Sequence, residues 1–180
     1  MTHGEEVVAR WRCGSCANTH GALILLLHGE GSDEDELFDL VVLLPAEPAI
    51  AALRGFTPDG AGYGWFAADA DGRPDPASLD TAVARVERWL DEQAGDAEEI
   101  WLAGVGQGAT LVDALLRRAP QRYAGAALLE SPARDGRVAL DGLDVYRGRR
   151  PHTTGELRDL VDWFSARTTP PTLTITGEHR

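Results

Sequence analysis

Apolar and polar positions alternate along the chain in blocks whose periods change from strand-like to helix-like and back. Residues 22–27, Ala-Leu-Ile-Leu-Leu-Leu, are continuously apolar and end in His28-Gly29, which predicts a strand covered on both faces, as in the middle of a parallel sheet. Ser32, followed by Asp33, Glu34, Asp35 and Glu36, predicts a helix N-cap with a negative first turn, a solvated helix start rather than a metal site. Prolines and glycines make residues 45–76 loop-rich, with a short strand near Leu53 to Thr57. From Ser78 to Gln93, Leu79, Ala82, Val83, Val86, Trp89 and Leu90 recur at helical spacing and predict an amphipathic helix.

Strand 100–104, helix 107–118 ending at Pro120, and a strand from Ala124 to Leu129 then alternate. Beyond Pro132 the pattern predicts a short strand from Val138 to Leu140, a helix from Gly155 to Arg167 and a last strand, Pro171 to Thr176. In that last strand Thr172, Leu173, Thr174, Ile175 and Thr176 alternate strictly, so one face is polar. Repeated strand-then-helix order with short connections predicts a single α/β domain over residues 1–180, with a mostly parallel sheet and helices on both faces. The sequence stops four residues after the last strand, so the expected sheet lacks a helix over that edge, and the apolar strip there is a surface on which a second copy could form a homodimer. Trp163 and Phe164 of the preceding helix are the alternative cover.

Composition narrows the partners. The formal charge of −12 disfavours phosphate backbones and anionic lipid, and all 17 basic residues are dispersed arginines, so no nucleic acid is expected. The N-terminal residues are acidic without an apolar core, and the longest apolar run is far too short to span a membrane, which predicts a cytoplasmic protein. The two cysteines, Cys13 and Cys16, stand near His20 without the other ligands of a zinc site or a redox-type βαβ context, and read as incidental thiols.

The candidate chemistry centres on residues 102–110, Leu-Ala-Gly-Val-Gly-Gln-Gly-Ala-Thr, a strand, a glycine turn and a helix start. This is the layout of a nucleophile elbow, in which G-x-S-x-G lifts a serine hydroxyl onto a strained turn. Its middle position here is Gly106. Four segments in order, LLLHGEGSDEDEL, GYGWF, IWLAGVGQGATL and RYAGAALLESP, resemble the phospholipase/carboxylesterase family of α/β-hydrolases, which includes the acyl-protein thioesterases. The resemblance covers nearly all of residues 20–180, strongly up to Pro132 and weakly after it. It implies an α/β-hydrolase fold and hydrolysis of esters or thioesters by a Ser-His-Asp triad without cofactor or metal, and it implies a serine at the position that Gly106 holds.

The same resemblance implies roles for other residues. Asp144 takes the place of the orienting acid, with Asp141 as its substitute, and His179 that of the base, with His152 in a neighbouring turn as its rival. The main-chain N–H groups of Glu30 and Gln107 would form the oxyanion hole. Trp65 and Phe66 lie in a loop that either walls the pocket or makes a hydrophobic cluster beneath it. Ser131 is a poor substitute nucleophile, and His28 reads as a turn histidine. Losing the nucleophile of a triad hydrolase lowers turnover by about 10⁶. The expectation is therefore a degenerate, carboxylesterase-like site that binds a small acyl- or ester-like ligand without acyl-serine chemistry. The alternatives are an enzyme using a His-Asp general base, or a protein-interaction module.

Overall fold

The computed structural model describes residues 7–12, 21–44, 46, 48–130, 143–148 and 154–168. Within them the chain runs β1 (Ala9–Arg12), β2 (Ala22–Leu27), a 3-10 turn (Phe38–Leu43), β3 (Ala49–Leu53), a ribbon of β4 (Thr57–Asp59) and β5 (Gly62–Gly64), and α1 (Pro76–Gln93). It continues through β6 (Glu99–Val105), α2 (Gln107–Arg118), β7 (Gly125–Leu129), β8 (Asp144–Gly148) and α3 (Thr154–Thr168). The main sheet has the order β1-β3-β2-β6-β7-β8, parallel throughout except for the antiparallel edge strand β1.

The continuous apolar run of β2 is explained by its position, since both neighbours are parallel strands and both faces are covered. Its odd residues Leu23, Leu25 and Leu27 pack with α1 and α2, while Ile24 and Leu26 pack with the 3-10 turn and with Leu160 and Phe164 of α3. Two hydrophobic layers on opposite faces follow directly from the two-residue period of a strand. On α1 the buried residues are Ala82, Val83, Val86, Trp89 and Leu90, the stripe its spacing predicts. Its start is fixed by Pro76 at the first turn and by the Asp75 carboxylate, which accepts the Ser78 N–H at 2.8 Å. Trp163 meets Trp101 edge-on at 5.6 Å and so lies over the β6 side of the sheet, as expected of a core position.

Three sequence expectations shift. The strand placed near Leu53 to Thr57 lies earlier, at β3, because Ala49, Ile50, Ala51 and Ala52 pair with β2 despite the prolines that precede them. No helix begins at Ser32, which instead forms a β-bridge with Tyr63. The acidic run after it is not a solvated helix start: Asp33 accepts the Asp35 N–H, Glu34 pairs with Arg54, Asp35 with Arg10, and Glu36 accepts the Gly29 N–H. Side chains that bond the nearby backbone and neighbouring strands compete with helix formation. The expected strands at Val138 to Leu140 and Pro171 to Thr176 lie outside the described residues.

From β2 the chain crosses to β3 on one side and, after α1, to β6 on the other. In a parallel sheet such a reversal opens a crevice at the carboxyl ends of the two diverging strands. The crevice falls between Leu27 and Val105, where the glycine turn stands. Among the described residues no helix is long and apolar enough to cross a membrane.

Candidate functional site

Gly106 joins the end of β6 directly to α2 with φ 53° and ψ −113°, a conformation that costs an L side chain strain. Its N–H donates to Leu129 O on the adjacent strand at 3.0 Å, so the turn is anchored by backbone rather than by a side chain. The three glycines of the turn differ in why they are glycine. A Cβ on Gly108 would lie 2.2 Å from Leu27 O, and one on Gly104 would lie 2.4 Å from Gly108 O, so these two permit strand and helix to touch. A Cβ on Gly106 would meet nothing nearer than Gly29 Cα at 3.9 Å, so the tip of the turn is open space.

Gln107, first residue of α2, ties this tip to its surroundings. Its Oε1 accepts the Trp65 N–H at 2.8 Å, while its Nε2 donates to Glu30 Oε1 at 3.0 Å and to Phe66 O at 3.3 Å. The Glu30 and Gln107 main-chain N–H groups donate to no main-chain acceptor among the described residues. A helix start leaves its first donors without intrahelical partners. Beside them opens a cleft of about 430 Å³, lined by Glu30 and Gln107 at the elbow, by Phe56, Trp65 and Phe66, and by Arg85 of α1. Trp65 and Phe66 line the cleft and are also buried in the core beneath it.

His28 holds the floor. It is 1% exposed, its Nε2 accepts the Gly55 N–H at 2.8 Å, and that bond leaves the proton on Nδ1, which donates to Gly29 O at 2.6 Å. Burial pushes its pKa below the ordinary value, so the ring is neutral and structural. Its carbonyl accepts the Trp65 indole N–H at 2.9 Å.

The β2 loop is pinned from outside by an ion pair. Arg54 donates from Nε to Glu34 Oε2 at 2.7 Å and from Nη2 to Glu34 Oε1, and its guanidinium lies over the Tyr63 ring at 4.8 Å. The hydrogen bond to Arg54 holds the Glu34 carboxyl below its usual range. A depressed carboxylate stabilises the fold above its unfolded pKa, and that contribution is lost as pH falls through the lower folded value. Glu34→Gln is therefore expected to cost about 1 kcal/mol at pH 7, discounted because Arg54 is about a third exposed. Urea unfolding at pH 7 and pH 3 checks this: the difference between native and variant should shrink at pH 3.

The architecture matches solved structures closely. A carboxylesterase from Mesorhizobium loti superposes with a TM-score of 0.72 at 21% identity, covering 87% of this chain and 93% of its own. A Bacillus cereus carboxylesterase superposes at 0.73 with 20% identity, covering 90% and 95%, and a phospholipase/carboxylesterase from Dyadobacter fermentans at 0.63 with 20% identity, covering 88% and 96%. The fold is that of an α/β-hydrolase. No protein-family model and no curated protein matches the sequence.

Within this fold the structure brings together Glu30, Trp65, Phe66, Gly106 and Gln107 at the carboxyl edge of the sheet. It does not bring Asp144 to them. Asp144 begins β8 rather than ending it, in register with Gly125 at the start of β7, whereas Gly106 follows the pair Val105 and Leu129 at the other end. About 15 Å of strand separates the two levels. There Asp144 pairs with Arg167 in the last turn of α3, a bond between strand and helix. The expected acid is thus corrected by strand direction. His179, His152, Asp141, Ser131, Cys13, Cys16 and His20 lie outside the described residues.

Two features of this edge were not anticipated. Glu130, next after β7, is the one non-glycine residue with positive φ among the described residues, at 51°, and its N–H donates to Gly148 O. Arg85 reaches the cleft from the α1 turn above Trp89, and only the i, i+4, i+7 spacing of Ser78, Ala82 and Arg85 carries a sequence signal for it.

Proposed function

We propose that this chain is a degenerate, carboxylesterase-like α/β-hydrolase that binds a small acyl-type ligand without acyl-serine chemistry. The observation that carries the reading is the open tip at Gly106: the backbone has the elbow's shape, and among the described residues the space for a side chain is there and no reactive atom fills it. Read this way, Gly106 stands where a hydrolase of this kind has its serine, and the Glu30 and Gln107 N–H groups receive the ligand's carbonyl oxygen. The cleft volume is that of a small-molecule site, with an aromatic wall of Phe56, Trp65 and Phe66 beside the polar side chains of Glu30, Asp59, Thr81 and Gln107.

The experiment is p-nitrophenyl butyrate hydrolysis beside calorimetric binding of methyl butyrate by the native protein. The expected result is saturable binding with p-nitrophenol release no faster than in buffer. Enzymic release above buffer overturns the loss of chemistry, and absence of binding overturns the ligand site.

A further inference from the structure

The cleft holds a carboxylate that nothing in the described fold answers. Asp59 ends β4, lines the cleft and is half-buried. An aspartate in front of a tight turn ordinarily accepts a main-chain N–H of that turn. The Asp59 carboxylate, which precedes the turn at Gly60 and Ala61, takes part in no hydrogen bond or ion pair among the described residues. The carboxylates around it are engaged: Glu34 pairs with Arg54, Glu36 accepts the Gly29 N–H, and Glu30 accepts from Gln107 Nε2 at 3.0 Å.

Two glycines leave Asp59 uncovered. Gly31 has φ 72°, a conformation that favours glycine, and the nearest atom to where its Cβ would stand is Asp59 Oδ2 at 3.9 Å. A Cβ on Gly64 would lie 3.8 Å from Asp59 Cβ and 3.4 Å from Gln107 Oε1, which places Asp59 beside the Gln107 amide at the elbow. Arg85, the cation of the lining, serves elsewhere: its Cζ lies 4.0 Å from the centroid of Phe56, and it is engaged beyond that ring. A charge drawn partly out of water is costly until a partner of opposite sign meets it.

We infer that the ligand's acyl chain carries a protonated amine and that Asp59 receives it. The inference rests on the ligand-binding reading above and names the class of ligand. With the ester carbonyl at the Glu30 and Gln107 N–H groups, an ammonium on a short acyl chain meets the Asp59 carboxylate in a charge-assisted bond. The Glu30 carboxylate adds negative charge at the same elbow, and the chain's charge of −12 draws cations from further away.

Calorimetry at pH 7 and low salt with methyl β-alaninate and methyl butyrate tests this through the ratio of the two affinities, because one ester has an ammonium where the other has a methyl. A cleft without a partner for the ammonium prefers the methyl, since desolvating a charge is the costlier step. The native protein is expected to bind the ammonium ester about threefold to tenfold more tightly, the effect of a half-exposed charged hydrogen bond. Asp59→Asn, which keeps the size and removes the charge, should bring the ratio to one or below with methyl butyrate affinity unchanged. Glu98→Gln, which removes an exposed charge just before β6 at the opposite edge of the sheet, should leave the ratio as it is. A native ratio of one or below, with methyl butyrate still bound, overturns the assignment of Asp59 alone, and it does so even if Asp59→Asn fails to fold. A ratio that survives Asp59→Asn, or falls equally in Glu98→Gln, overturns it too. If neither ester binds the native protein, the ligand-binding reading falls and this inference with it.

Discussion

Gly108→Ala is expected to cost about 3 kcal/mol or more of folding stability, while Gly106→Ala, two residues away, costs about 1 to 2 kcal/mol. The contrast follows from the surroundings. An added methyl on Gly108 would meet two backbone carbonyls, Leu27 O at 2.2 Å and His28 O at 2.6 Å, and neither can yield without moving β2 away from α2. At Gly106 only the backbone angle opposes a side chain. Urea unfolding followed by far-ultraviolet circular dichroism measures both. Equal losses would mean that strand and helix do not touch as closely as these distances require, and the open space at the tip would lose its meaning. Gly106→Ser should behave as Gly106→Ala does, so a folded serine variant is available for any assay of the site.

The second large effect concerns His28 and acid. Its folded pKa lies below the value it has in the unfolded chain, so on acidification the unfolded state takes up the proton first. Its contribution is complete above the ordinary histidine pKa of about 6.5 and is lost as pH falls from there toward the lower folded value, at up to about 1.4 kcal/mol per pH unit. His28→Phe keeps the bulk but leaves the Gly55 N–H and the Gly29 carbonyl without their ring partners, at about 1 to 3 kcal/mol for each buried group left unpaired. Urea unfolding at pH 7.5, 6 and 5 separates the two effects. The variant should be weaker at every pH and should show a shallower fall between pH 6.5 and 5; an unchanged slope would mean that another group carries the acid sensitivity. The Glu34 effect belongs to a lower range, where carboxylates titrate, and does not overlap this window.

How much of this was legible in the sequence depended on burial. β2, β6, β7, α1 and α2 lie in the interior, where packing forces an apolar pattern, and their positions followed from it to within two residues. The edges of the described sheet carried no such signal. β1 reads Ala-Arg-Trp-Arg and β8 reads Asp-Val-Tyr-Arg-Gly, short and partly exposed strands whose charged residues need not alternate with apolar ones. Nothing in that pattern announced β8, at whose start Asp144 stands.

Within the site, the glycine turn and the loop beside it were visible because close approach and unusual φ leave few residue choices. Arg85 was not, since a partly buried arginine on a helix has the same spacing as a solvent-facing one. The Gln107 bonds to Trp65, Phe66 and Glu30 join residues 42, 41 and 77 positions apart, which no local pattern encodes. The acidic run misled for a related reason. Its four carboxylates look like a helix start until Arg10, Arg54 and the Gly29 N–H are in place around them.

The different reasons for the three elbow glycines bear on how such a site changes over generations. Gly104 and Gly108 hold the shape of the turn through contacts that the middle residue takes no part in. The middle residue can therefore change with only the backbone angle opposing it, while the turn that carries it stays in place. The scaffold keeps the socket whichever residue stands at its tip, so exchanging Gly106 for serine would put a hydroxyl at the mouth of the cleft without rebuilding the strand and helix that frame it.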